Sequence, residues 1–146
     1  MRLVTLFKLY VHDYDEALKY YTEKLGFEIA EDVRDGDYRW LIVKLPDNQE
    51  FGINLELART PEQQALVGRQ AADQPLYSIE TDDCMREYLG LVPTGVEFEG
   101  EPVAQPWGIG VMMRDLYGNR VYINQTPSSV SPGTGAQSDQ GGCQAS

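Results

Sequence analysis

The 146 residues carry 12 lysines and arginines against 23 aspartates and glutamates, a formal net charge of -11. That deficit of positive charge argues against nucleic acid or an anionic membrane surface as partner, because both need clustered cations. Two cysteines, Cys84 and Cys143, give neither a disulfide framework nor zinc-type spacing, and there is neither a secretory-type leader nor an apolar run approaching the roughly 18 residues of a membrane helix, so a soluble cytoplasmic protein with free thiols is expected.

In chain order, Leu3 to Val11 alternates, with Phe7, Leu9 and Val11 apolar on one face and Leu6, Lys8 and Tyr10 mixed on the other, which predicts a half-buried strand. Asp13 supplies an N-cap oxygen and Glu16 stands where it can complete a capping box. Ala17, Tyr21 and Leu25, with Leu18 and Tyr20 beside them, make an apolar helical stripe that Gly26 ends. Strands are predicted over Glu28–Val33 and Tyr38–Leu45, separated by Asp35-Gly36, and over Phe51–Leu57, whose polar face carries Gly52, Asn54 and Glu56. Thr60-Pro61-Glu62-Gln63 starts a short linker helix reaching about Gly68.

From Leu76 the opening pattern returns. LYSIETDD reads as a strand entering an acidic cap, CMREYLGL as a short helix stopped by Pro93-Thr94-Gly95, and Asp82 to Gly95 repeats the separation of Asp13 to Gly26. Val96–Val103, Gly108–Arg114 and Arg120–Gln125 follow as strands, the last two joined by a tight turn at Asp115–Asn119. The chain therefore holds a βαβββ unit twice: a module at 2–58, a linker at 59–74 and a second module at 75–126, forming one domain over 1–126. The small, polar run at 127–146 is expected to be a disordered tail.

The stretch VHDYDEALKYYTEKLGFE, the doubled βαβββ pattern and the closing RDLYGNRVYINQ together resemble the vicinal oxygen chelate superfamily of glyoxalase, bleomycin-resistance and extradiol dioxygenase proteins, over residues 2–126. The resemblance implies an α+β fold in which the paired modules form a cup-shaped, incompletely closed β-barrel, with helices outside and a homodimer as the assembly. Members that perform metal chemistry hold the ion with His and Glu or Gln side chains from four strands. On this chain the resemblance puts those positions at Leu6, Leu76 and Tyr122, with the fourth at Asn54 or Glu56 depending on alignment. Leucine offers no lone pair, so no metal site and no cofactor is expected.

The residues expected to line a ligand site are Lys8, Tyr10, Trp40, Asn54, Glu56, Ser78, Glu80, Trp107, Met112, Tyr122 and Asn124, an aromatic and polar set of the kind that orients small molecules. Glu56 and Glu80 are the candidate catalytic bases; burial beside Leu6 and Leu76 would raise the pKa of Glu80, whereas pairing of Lys8 with Glu80, an internal ion pair between the lysine and a cup glutamate, would merely satisfy two charges. His12 reads as a surface turn residue, and Ser78 has no histidine partner for a nucleophilic triad. The leading expectation is metal-free binding of a small organic molecule, cationic or planar, in the cup. The alternatives are a lyase, isomerase or transferase using Glu56 or Glu80 as base, with or without an atypical metal site, and an interaction module without a ligand.

Overall fold

The computed structural model describes residues 1–127; the expected tail falls, from residue 128 on, outside them. The fold is mixed α+β with two β-sheets, and the chain divides into two compact units. One comprises Met1–Ala72 with Leu116–Gly118, the other Asp73–Asp115 and the chain from Asn119 on. Among the described residues no helix is long and apolar enough to cross a membrane.

In the first unit the elements are β1 (Leu6–Val11), α1 (Tyr14–Lys19), β2 (Glu28–Asp35), β3 (Tyr38–Leu45), β4 (Asn48–Leu57) and α2 (Pro61–Leu66). The sheet runs β1-β4-β3-β2, with β1 and β4 parallel and the other pairs antiparallel. Pairing of Leu9 with Leu55, and of Leu55 with Leu41, builds one apolar face; Val11, Leu9, Leu41, Val43 and Leu55 are fully buried there, each contributing about 2 kcal/mol by leaving water. The strand begins at Leu6 rather than Leu3; before it, the Thr5 carbonyl accepts the Gly52 N–H at 2.8 Å.

Asp13 caps α1, its carboxylate accepting the Glu16 N–H at 2.8 Å, and the Glu16 carboxylate accepts the Tyr117 hydroxyl at 2.7 Å. The helix then widens into a π-helical segment, Tyr20–Lys24, where the Leu25 N–H donates to the Tyr20 carbonyl. The Thr60 cap of α2 is a complete capping box with Gln63, and Pro61 opens the helix.

The second unit contains β5 (Pro75–Glu80), α3 (Cys84–Leu91), β6 (Glu97–Phe98), β7 (Val103–Gln105), β8 (Gly108–Arg114) and β9 (Arg120–Gln125). Its sheet runs β5-β9-β8-β6, with β7 also paired to β8. The cap of α3 is Asp83, not Asp82. The two glycine-terminated turns are thus one residue apart in length, and the π segment of the first helix takes up the extra residue, as a one-residue insertion into an α-helix does. The single strand expected over Val96–Val103 is two short ones, β6 and β7, because Gly100 takes φ 120° between them and breaks the extended run. In the closing turn the Asp115 carboxylate accepts the Asn119 backbone N–H at 2.9 Å and its side-chain amide at 3.0 Å, both residues buried.

Candidate functional site

In the first unit the polar side of the sheet is set by register: Lys8 lies beside Asn54 and Tyr10 beside Glu56. The Lys8 ammonium donates to Asn54 Oδ1 at 2.8 Å and meets Glu56 Oε1 at 3.4 Å, while Asn54 Nδ2 donates to the Leu41 carbonyl at 3.2 Å. Asn54 is buried and its amide is committed at both ends; Glu56 is neutralised by Lys8. Lys8 thus pairs with Glu56 and not with Glu80, because the parallel register of β1 and β4 sets Glu56 beside it. Trp40 sits on the same side, since its neighbour but one, Ile42, pairs with Asn54; its indole N–H donates to Glu31 Oε1 at 2.9 Å. The backbone N–H of Tyr10 and carbonyl of Lys8 are bound by the two ends of the Gln70 side-chain amide, at 2.6 and 2.8 Å, which completes the outer edge of β1.

In the second unit, register makes two rows across the polar side. Ser78, Tyr122 and Met112 form one, Glu80, Asn124 and Gly110 the next. Tyr122 does not stand off the sheet. A Cβ on Gly110 would fall 1.9 Å from the Tyr122 hydroxyl and 2.3 Å from Cζ, so the phenol reclines diagonally across β8 with its tip in the place of the missing side chain. Asn124 packs in the same sense toward Gly108, where a Cβ would lie 3.2 Å from Oδ1 and 2.1 Å from the Gln125 carbonyl. The Trp107 indole, half exposed, donates to the Tyr122 hydroxyl at 3.4 Å. Asn124 Oδ1 is buried without a hydrogen-bond partner. Five of the six expected residues here are brought into these two rows by register, and Trp107 joins through its hydrogen bond to the Tyr122 hydroxyl.

Sequence reasoning missed the two glycines that allow this arrangement. The signal was present: Gly108-Ile109-Gly110 leaves one face of β8 bare at a spacing of two. Also missed was Glu99 between Arg114 and Arg120: Arg114 Nη2 and Arg120 Nε each lie 2.9 Å from Oε2, and Arg120 Nη2 lies 2.5 Å from Oε1. Hydrogen bonds from Arg120, with the Arg114 charge beside it, hold the Glu99 carboxyl below the usual carboxylate range.

The burial expected of Glu80 is not found. It is exposed, because β5 borders the sheet, and its Oε2 accepts the Thr126 hydroxyl at 3.2 Å. His12 is an exposed turn residue whose ring meets Tyr117 edge-on at 5.2 Å. An open cleft of about 340 Å³ in the first unit is lined by His12, Tyr14, Arg34, Asp37, Tyr38 and Arg39 among others. Its buried Arg39 is already held by Asp15 and, through two parallel bonds, by Asp32.

The superfamily resemblance raises a resident divalent ion, and the side chains do not fit one. Leu6 and Leu76 supply hydrocarbon, the Tyr122 hydroxyl takes the Trp107 N–H, Glu56 pairs with Lys8, and among the described residues no three His, Cys, Asp or Glu side chains converge.

Comparison with known proteins places the chain. An uncharacterised protein of Shewanella frigidimarina is 36% identical over 113 residues, which is 76% of this chain and 84% of that one. The crystal structure of UcmS2 has 31% identity and a TM-score of 0.74, covering 85% of this chain and 98% of its own. That of TnmS3, an antibiotic binding protein from Streptomyces sp. CB03234, has 28% identity and a TM-score of 0.72, covering 86% and 97%. Residues 3–123 match the model of the Glyoxalase/Bleomycin resistance protein/Dioxygenase superfamily, and the chain belongs to that superfamily.

Proposed function

We propose that the protein binds a small organic molecule, cationic or planar, on the polar face of its second sheet, without a resident metal ion. The carrying observation is the reclining Tyr122 phenol with the half-exposed Trp107 indole on its hydroxyl: two amphipathic rings at the surface of a sheet whose neighbouring row ends in the exposed carboxylate of Glu80. The description of TnmS3 as antibiotic-binding supports the same reading for a chain of this likeness. The second reading, a lyase, isomerase or transferase, has Glu80 as its better base, since Glu56 is held by Lys8.

The test is a thermal-shift and calorimetric screen of the whole protein against planar cations, polycyclic antibiotics and divalent nickel, manganese, zinc and iron, with metal analysis of the purified protein. Stoichiometric binding of an organic compound without metal supports the proposal; one tightly held ion per chain, or no organic ligand, rejects it. Turnover of the bound compound that disappears in Glu80→Gln would select the enzyme reading.

A homodimer is part of the proposal. All eight residues of β2 are exposed, including the apolar Ile29 and Val33, and β2 is the edge of its sheet. Sedimentation equilibrium giving a monomer at micromolar concentration would remove it.

A further inference from the structure

We infer that Gly110 is a specificity-determining residue: by leaving room for the Tyr122 ring to lie along β8, it makes the second sheet a stacking surface for a planar aromatic cation, whose charge is read by Glu80. This rests on the ligand-binding proposal and narrows it to a chemical class. Any side chain at position 110 would collide with the phenol, at 1.9 Å from its hydroxyl, and stand it away from the strand. The ring is held at three places: by its own strand at Tyr122, by the bare Gly110 backbone at its tip, and by the Trp107 N–H on its hydroxyl. A ring fixed this way loses little freedom when a second ring stacks on it, which favours flat ligands over saturated ones.

Charge on this face is graded along the strands. The Asn124 row carries the exposed Glu80 carboxylate, while the Arg120 row, on the opposite side of Tyr122, carries two arginines on one glutamate. A flat cation stacked on Tyr122 is therefore attracted toward Glu80 and repelled from the arginine row. Gly108 contributes in the same way as Gly110, giving Asn124 a place against the strand, but its φ of 137° and the near Gln125 carbonyl make it irreplaceable for backbone reasons as well. At Gly110 the three atoms nearest an added Cβ all belong to the Tyr122 side chain, which makes it the cleaner probe.

The experiment is calorimetric and fluorescence titration of the whole protein with proflavine, a planar tricyclic cation, with acridine at pH 8 as its uncharged analogue, and with tetraethylammonium as a cation that is not flat. The expected order is proflavine over acridine, with tetraethylammonium unable to compete. Gly110→Ala and Tyr122→Ala should each weaken proflavine about tenfold or more, the range of a lost aromatic stack. The double variant, in which the collision no longer exists, should be no weaker than Tyr122→Ala, since Gly110 acts only through the ring. Glu80→Gln should weaken proflavine several-fold and leave acridine unchanged. Circular dichroism and melting temperature establish that each variant is folded; if Gly110→Ala is not, Tyr122→Ala and Glu80→Gln decide. Wild-type affinity in Gly110→Ala or in Tyr122→Ala, or an equal loss of proflavine and acridine in Glu80→Gln, overturns the inference. If the protein binds other organic compounds but neither tricycle, this inference fails and the proposed function stands; if it binds no organic compound, both fail.

Discussion

Arg39 shows how a single residue sets local stability. It is 6% exposed and sits beneath the Tyr14 ring, 5.6 Å from its centroid, with its Nε and Nη2 on the two oxygens of Asp32 and its Nη1 on Asp15. Arg39 is buried but Asp32 lies on the exposed β2 and Asp15 remains as a second partner, so Asp32→Ala should cost about 1 to 2 kcal/mol at pH 7, measured by urea denaturation. Hydrogen bonds from Arg39 hold the Asp32 carboxyl below its ordinary value, with burial opposing and the Arg39 and Arg34 charges assisting. The folded protein therefore keeps this carboxylate ionised at a pH where the unfolded chain has protonated it. Its contribution is complete above the ordinary carboxylate value near pH 4 and drains as pH falls through the lower folded value. Asp32→Ala removes this contribution while Glu99, held low in the same way, stays in both proteins, so the wild type should lose stability more steeply than the variant as pH falls below about 4. Equal slopes would show that the pair is not coupled to folding. None of this was visible in the sequence, where Arg39 occupies an ordinary strand position; only the folding of β2 onto β3 and of α1 over them brings its partners to it.

At the scale of elements, the helix starts were legible because a cap is a local device. Asp13, Thr60 and Asp83 each accept from a backbone N–H three residues on, within one turn of chain. Asp83→Ala should cost about 1 kcal/mol and lower the melting temperature by about 3 °C, whereas Asp82→Ala, which loses only an exposed pair with Arg86, should cost about a third of that. Equal losses would return the cap to Asp82. The linker helix expected to reach about Gly68 ends at Leu66, and the reason for the glycine that follows is not local. Gly68 takes φ 80°, and a Cβ there would lie 2.1 Å from the Tyr117 carbonyl, an atom far along the chain. Gly68→Ala should therefore cost more than the roughly 1 kcal/mol of a left-handed alanine, about 2 to 3 kcal/mol by chemical denaturation, while Gly36→Ala, with open space around it, should cost only the smaller amount. The π segment was not foreseen because the apolar spacing of Ala17, Tyr21 and Leu25 reads the same for an α-helix.

For the molecule as a whole, the formal charge of -11 acts on ligand encounter more than on the fold. Association of a flat cation should slow, and its affinity fall, as salt rises from about 20 to about 500 mM, because the Debye length shrinks from tens of ångströms to a few; an uncharged analogue should be nearly insensitive. Stopped-flow measurement with proflavine and acridine checks this, and matching salt dependences would show that the surface charge plays no part in recognition.

The sequence by itself determined the family, the repeated strand-helix-strand order apart from the split of β6 from β7, the Asp13 and Thr60 caps, the second acidic cap to within one residue, and the faces of the strands, since capping, turn geometry and alternation are decided within a few neighbouring residues. Tertiary structure decided which polar side chains meet. Lys8 could have paired with either glutamate until the parallel registration of β1 and β4 put Glu56 beside it. Glu80 became exposed because β5 borders its sheet, a matter of strand order that alternation cannot express. The recumbent Tyr122 depends on a glycine from a different strand, and distance across a sheet is fixed only when the strands have paired.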